Sequence, residues 1–350
     1  MNKDQAREII TSYKGNPLRI MEVCGTHTHE IFRLGIRSLL PEKVQLISGP
    51  GCPVCVTPTT FIDEAIALAL EHNVTLCTFG DLIRVPGTTS SLAKSRTAGA
   101  EVQTVYSPLD AVRYAEEHPE KQVCFLAVGF ETTTPGACLA VKKAAAGNLK
   151  NFTLLTANKT MPNAYKALQG SADAFLFPGH VHAIIGTALC EQLCREQGIS
   201  GVVAGFTPEE LLTALAVIIR RSEEGRSFFE NCYPRVVRSE GNPAAVSLLR
   251  EVMEECDTEW RGLGVLPLSG LQLRKEWEEF DARKRFALSG IQGKANSACR
   301  CGEILQGKIK PCECPLFGKV CTPLHPVGAC MVSNEGACSA FYQYGDLKIQ

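Results

Sequence analysis

Apolar residues recur along the first two thirds of the chain with two alternating periods. Short β-prone runs occupy residues 19–23, 44–47, 74–79 and 102–106. Between them, Ile62, Ala65, Ile66, Ala69 and Leu70 follow the i, i+3, i+4, i+7, i+8 spacing of one buried helix face. Thr57 and Pro58 supply a cap and a proline suited to a first helical turn. The pattern restarts near residue 122. Residues 123–128 are continuously apolar, as expected of a strand covered on both faces of a parallel sheet. Further strands are predicted at 152–155, 174–177 and 201–204. Thr207-Pro208-Glu209-Glu210 opens a helix with a capping-box pattern, and Leu211, Leu212, Leu215, Ile218 and Ile219 form its inner face. Strands alternating with helices predict an α/β fold. The expected architecture is two parallel-sheet modules, residues 1–117 and 118–225, facing each other across a cleft.

Beyond residue 225 the pattern changes. Residues 274–285 read as a charged outer helix. From Ala298 onward the chain is rich in Cys, Gly and Pro with little periodicity. Such a segment buries too little apolar surface to fold alone, and cysteines holding a metal would staple it. Residues 226–350 are therefore expected to form a third domain, helical and then Cys-rich.

The 350 residues carry 36 basic and 37 acidic side chains. A balance so close to neutral leaves no electrostatic footprint for nucleic acid or an anionic membrane. The first residues are charged and no apolar core follows them, so no signal peptide is expected. The longest apolar stretch, 211–219, is far short of the roughly 20 residues of a membrane span. The expectation is a cytoplasmic protein. Its anomaly is 17 cysteines, an odd number and more than a core ordinarily uses. In a reducing compartment, clustered cysteines point to metal or redox chemistry.

Cys299, Cys301, Cys312, Cys314, Cys321, Cys330 and Cys338 crowd the C-terminal segment. Their wide, uneven gaps and neighbouring prolines suit loops wrapped around an iron–sulfur cluster. A zinc ion or disulfides would also serve as the staple. Cys52-Pro53-Val54-Cys55 lies between a strand and a capped helix. There a thiol gains from the positive helix end, or the motif is a tight turn or half a zinc site. Cys24 stands at the carboxyl end of the first strand with His27 and His29 after it, where open α/β sheets bind ligands. On a helix those two histidines point apart, so only one can work beside Cys24; capping by Thr26 or Thr28 is the alternative. Glu131 follows the buried strand in a polar loop, and His180 and His182 share a face if their strand continues. Cys77, Cys124, Cys138, Cys190, Cys194, Cys232 and Cys256 read as small core hydrophobes. Motifs for phosphate loops, dinucleotide binding and serine hydrolysis are absent.

Taken in order, residues 24–29 (CGTHTH), 49–55 (GPGCPVC), 129–135 (GFETTTP), 178–182 (PGHVH), 233–238 (YPRVVR) and 330–338 (CMVSNEGAC) resemble the HypD family of hydrogenase maturation proteins. The resemblance implies a redox-active assembly scaffold rather than a conventional turnover enzyme. On it the Fe(CN)2(CO) group of [NiFe] hydrogenases is built before reaching the hydrogenase large subunit. It implies a HypC-family chaperone as partner and HypE, with HypF upstream, as cyanide donor. The family's [4Fe-4S] pattern, C-x14-C-x6-C-x16-C, falls on Cys299, Cys314, Cys321 and Cys338, leaving Cys301, Cys312 and Cys330 as non-ligands. By the same resemblance Cys24 ligates the iron under assembly with His27 nearby. Cys52 and Cys55 cycle between dithiol and disulfide, and Glu131, His180 and His182 line the facing wall. Without the resemblance, a thiol–disulfide oxidoreductase with a metal-stapled C-terminal domain is the competing reading, followed by a zinc protein with a structural tail.

Overall fold

The run of strands and helices read from the sequence is present in the structure, a computed structural model that describes residues 1–345. The strands are β1 (Leu18–Glu22), β2 (Val44–Ser48), β3 (Val74–Thr78), β4 (Val102–Thr104), β5 (Gln122–Ala127), β6 (Phe152–Thr156), β7 (Ala174–Pro178), β8 (Gly201–Ala204), β9 (Phe229–Asn231), β10 (Met253–Trp260) and β11 (Gly264–Leu273). Nine of these strands form two sheets in which every pairing is parallel. One has the order β2-β1-β7-β8-β9 and the other β4-β3-β5-β6. Helices cover both faces, so β3, β6, β7 and β8 are buried at every position, in keeping with their unbroken apolar sequence.

The sheets do not follow the expected division at residue 117. The chain makes β1 and β2, leaves to build the whole of the four-stranded sheet, and returns to add β7, β8 and β9 beside β1. Apolar periodicity is a local signal, whereas the neighbour of a strand is set by long-range burial. The interleaving was therefore invisible to it.

This order places a topological switch point in each sheet. In the first it lies between β1 and β7, whose carboxyl ends lead into Cys24 and His180. In the second it lies between β3 and β5, and Glu131 follows β5. Open parallel sheets bind ligands at such points because the flanking loops diverge there.

Three expectations beyond residue 225 need correction. Residues 274–285 form a 3-10 segment, Lys275–Phe280, and a short helix, Ala282–Arg285, in place of one outer helix. Two unpredicted strands, β10 and β11, make an antiparallel hairpin with an irregularity between Cys256 and Thr258. Charged residues alternate along β10, and Pro267 and Gly270 interrupt β11, so neither carries a clean strand pattern. Nor does the Cys-rich segment stand apart. Ile304, Leu305, Phe317 and Met331 join Met21, Val23, Ile47 and Phe177 in one core on a face of the first sheet. No helix among the described residues is long and apolar enough to cross a membrane.

Candidate functional site

Cys24 caps the helix Gly25–Arg33 immediately after β1. The CPVC loop lies against it because β1 and β2 run in parallel register, Glu22 beside Ser48. The Gly25 N–H donates to the Gly51 carbonyl at 2.9 Å and the Gly49 N–H to the Glu22 carbonyl at 2.8 Å. Gly51 is indispensable to this fit, since a Cβ there would stand 2.1 Å from the Cys24 nitrogen. Cys24 is 6% exposed. Burial pushes its thiol up to about 12, outweighing the nearby backbone N–H groups of His27 and Thr26, and the carboxylate of Glu335 adds to the rise. Glu335 is held there by the Thr26 hydroxyl at 2.6 Å.

The two histidines of this motif separate as helix geometry requires. His29 reaches the Asn334 carbonyl at 3.2 Å, whereas His27 is buried with Nε2 3.0 Å from the Gly205 carbonyl. A carbonyl only accepts, so the His27 proton sits on Nε2. The Nδ1 lone pair is left without a partner. Burial lowers the His27 pKa to about 4, and the ring is neutral at pH 7.

Phe206 joins His27 to the second motif. Its ring lies 4.7 Å from that of His27 and 3.8 Å from that of His180, nearly parallel to the latter. The Phe206 N–H donates to Glu210 Oε2 at 2.9 Å, which ties the ring to the capping box of the helix Pro208–Ser222. The switch point between β1 and β7 thus carries a His27–Phe206–His180 stack.

His180 and His182 do not share a face. Pro178 ends β7 and residues Gly179–Ile185 form a helix, which turns His180 outward and His182 inward. His182 donates from Nδ1 to the Gly186 carbonyl at 2.8 Å, and its Nε2 lies 3.5 Å from Cys190 Sγ. Cys190, read as a plain core residue, is therefore partnered. Glu131 is buried too. Its Oε1 accepts from the Met161 N–H at 2.8 Å while Oε2 has no partner, and burial lifts its pKa to about 7. The buried hydroxyl of Tyr165, close enough to feel the charges of Cys190, Glu131 and Cys24, is also unpartnered. Tyr165 and Phe206 carry no sequence motif and were not anticipated.

At the second motif Cys52 caps the helix Pro53–Val56. The Cys55 N–H donates to Cys52 Sγ at 3.3 Å, and the two sulfurs are 2.7 Å apart. Both are free thiols, as are all 17 cysteines. Burial pushes the Cys55 thiol well up. Cys330, on the turn Ala329–Met331 packed against the Pro53–Val56 helix, is a buried neighbour of Cys55, and with Cys301 it lines one cavity. A line of buried thiols, Cys52–Cys55–Cys330–Cys301, therefore runs from the CPVC loop into the C-terminal segment.

That line ends at a cavity walled by six cysteines, Cys299, Cys301, Cys314, Cys321, Cys330 and Cys338, with Phe317 and Met331 among its apolar lining. Exposed Cys312 takes no part in it. Gly328 makes room at the wall, where a Cβ would lie 2.6 Å from Cys299 Sγ. Among the described residues no three Cys, His, Asp or Glu side chains stand close enough to hold a single metal ion. The thiols surround a space rather than a point, and their soft donor character fits iron or another thiophilic metal.

Residues 1–345 match the family model for HypD, described as the hydrogenase formation hypA family. The chain belongs to the HypD family. It is 46% identical over 338 residues to the hydrogenase expression/formation protein HupD of Azotobacter chroococcum mcd 1, covering 93% of this chain and 89% of that protein. It is 44% identical over 346 residues to the hydrogenase maturation factor HypD of Cupriavidus necator (95% and 91%), and 44% over 333 residues to that of Escherichia coli K12 (94% and 89%). All six motifs that suggested HypD lie within the matched span.

Proposed function

We propose that this HypD-family protein is the scaffold on which the Fe(CN)2(CO) group of [NiFe] hydrogenases is assembled, in complex with a HypC-family chaperone. Cys24 binds the iron being built, together with a thiolate of the chaperone. The unshared Nδ1 lone pair of His27, one turn further along the same helix, offers a buried acceptor. HypE, supplied by HypF, brings the cyanide, and the finished group passes on toward the hydrogenase large subunit. Cys52 and Cys55 alternate between disulfide and dithiol, giving up two electrons and two protons in each oxidation. Cys299, Cys314, Cys321 and Cys338 hold a [4Fe-4S] cluster, which when bound supplies single electrons. Cys301 and Cys330 line the same cavity outside that ligand set, on its side toward Cys55.

The observation that carries this reading is the continuity of buried thiols from Cys52 to the six-cysteine cavity. Isolated disulfide chemistry has no need of such a line, and a purely structural metal has no need of an adjacent dithiol. Protein purified without oxygen is expected to be brown and to contain about four irons and four acid-labile sulfides. A colourless protein with one zinc and no sulfide, even after anaerobic reconstitution, overturns the cluster assignment. Hydrogenase maturation that survives Cys24→Ala overturns the iron-binding role.

A further inference from the structure

The cysteine cavity also opens to the surface. Cys299, Cys301 and Gly328 line both the cavity and an outer groove that includes Arg261, Arg300 and Val327. Through Arg261, Asn296 and Val327 this groove continues into a depression of about 490 Å³ lined by Arg84, Ser90, Lys94 and His325. The surroundings are strongly cationic. Arg84, Lys94, Lys294 and Lys319 are exposed, and none has a carboxylate within 4.0 Å among the described residues. Of the acids nearby, Glu303 is paired with Arg300 and Asp63 accepts from Thr88. Val320 and Leu324, 62% and 83% exposed, project from the same wall on either side of Cys321, with Pro323 and Pro326 stiffening the loop.

An exposed apolar pair on a wall shared with Arg84 and Lys94, of which Arg84 also donates to the Pro323 and Val332 carbonyls, fits a protein partner with an apolar centre and an acidic rim. A phosphate-bearing small molecule would use the cations and the Ser90 hydroxyl but would leave Val320 and Leu324 in water. We propose that this face docks a small acidic protein that carries one transferable electron. The inference rests on the reading of the cysteine cavity as a redox centre, since the face adjoins the groove that Cys299 lines, which makes an electron carrier the partner. Opening one Cys52–Cys55 disulfide to two thiols takes two electrons and two protons. Two reduced carriers must therefore dock in succession, each leaving oxidised by one electron, with the protons drawn from solvent.

The test uses the anaerobically purified protein and a plant-type [2Fe-2S] ferredoxin as the acidic probe, with binding followed by calorimetry so that the readout does not depend on turnover. Ferredoxin is expected to bind, and to bind more weakly as salt rises. Lys94→Glu combined with Lys319→Glu should weaken it by about tenfold, and Leu324→Ser alone should also weaken it, with iron and sulfide content unchanged. Both substitutions are at exposed positions, and a thermal melt checks that the fold is kept. Unaltered affinity in both variants overturns the proposal, as does binding of ATP at this face with no binding of ferredoxin. A native protein that lacks iron and sulfide overturns the reading of the cavity instead, and that result is separate from the calorimetry.

Discussion

Cys330 and Cys55 are buried neighbours in one core, although the two residues come from opposite ends of the chain. Replacing Cys330 by Ser keeps a hydrogen-bonding group there but removes the sulfur that can exchange with a disulfide. Cys330→Ser is expected to retain its iron and sulfide, while reduction of an oxidised Cys52–Cys55 pair slows at least about tenfold. Thiol titration after anaerobic reduction, beside iron analysis, measures both. Loss of iron would make Cys330 a ligand.

Burial protects Cys24. With its thiol pushed up to about 12, almost none is thiolate at pH 8, and its surface is nearly closed. Iodoacetamide at pH 8 is expected to label exposed Cys312 first and Cys24 only after unfolding. Peptide mass mapping over time gives the order.

Glu131 makes stability depend on pH. Its carboxyl titrates near 7 in the folded chain and near 4.5 unfolded, because burial disfavours the charged form. The protonated carboxyl is fully tolerated below about 4.5, and that stability is lost as pH rises through 7. Glu131→Gln stays neutral throughout. It should melt close to wild type at pH 5 and several degrees higher at pH 8, on the order of 1–3 kcal/mol more stable there. Melting curves at the two pH values check the sign.

Removing the Phe206 ring takes away the side chain that stacks with both His27 and His180. Phe206→Leu should cost about 1 kcal/mol of stability from lost ring stacking and leave iron and sulfide content intact. Hydrogenase maturation in a complemented strain should fall, because the two imidazoles lose their fixed spacing.

Two glycines should respond with opposite sign. An alanine methyl at Gly51 would collide with the Cys24 backbone, costing about 3 kcal/mol or more and separating the two N-terminal motifs. At Gly136, inside the helix Thr134–Ala146, the nearest atom would be a Pro108 carbon at 3.5 Å. Gly136→Ala should stabilise by about 0.5–1 kcal/mol. Denaturant midpoints for the pair decide it.

What could be read beforehand was what strand ends and short spacings encode. Cys24, the CPVC pair and Glu131 all follow recognisable strands, and each lies where that position predicts. The condition for a shared face of His180 and His182 is not met: PGHVH carries no sign of whether Pro178 ends a strand, and the helix that follows it separates the two faces. The Phe206 stack, the unpartnered Tyr165 hydroxyl and the Glu335 contact depend on residues far apart in sequence, where no local pattern signals approach. The hairpin of β10 and β11 escaped because β10 is charge-rich and Pro267 and Gly270 break the apolar run of β11.

The interleaved strand order also sets a timetable for synthesis. As the chain leaves the ribosome, β3 to β6 can close their sheet as soon as residue 156 has emerged, yet β1 still waits for β7. Until residue 178 is out, Cys24, Cys52 and Cys55 belong to a two-stranded fragment in which the β1 edge is still unpaired. Thiols that are buried in the finished protein are thus among the first made and among the last covered. Oxidation or metal capture by the nascent chain is a hazard fixed by its topology.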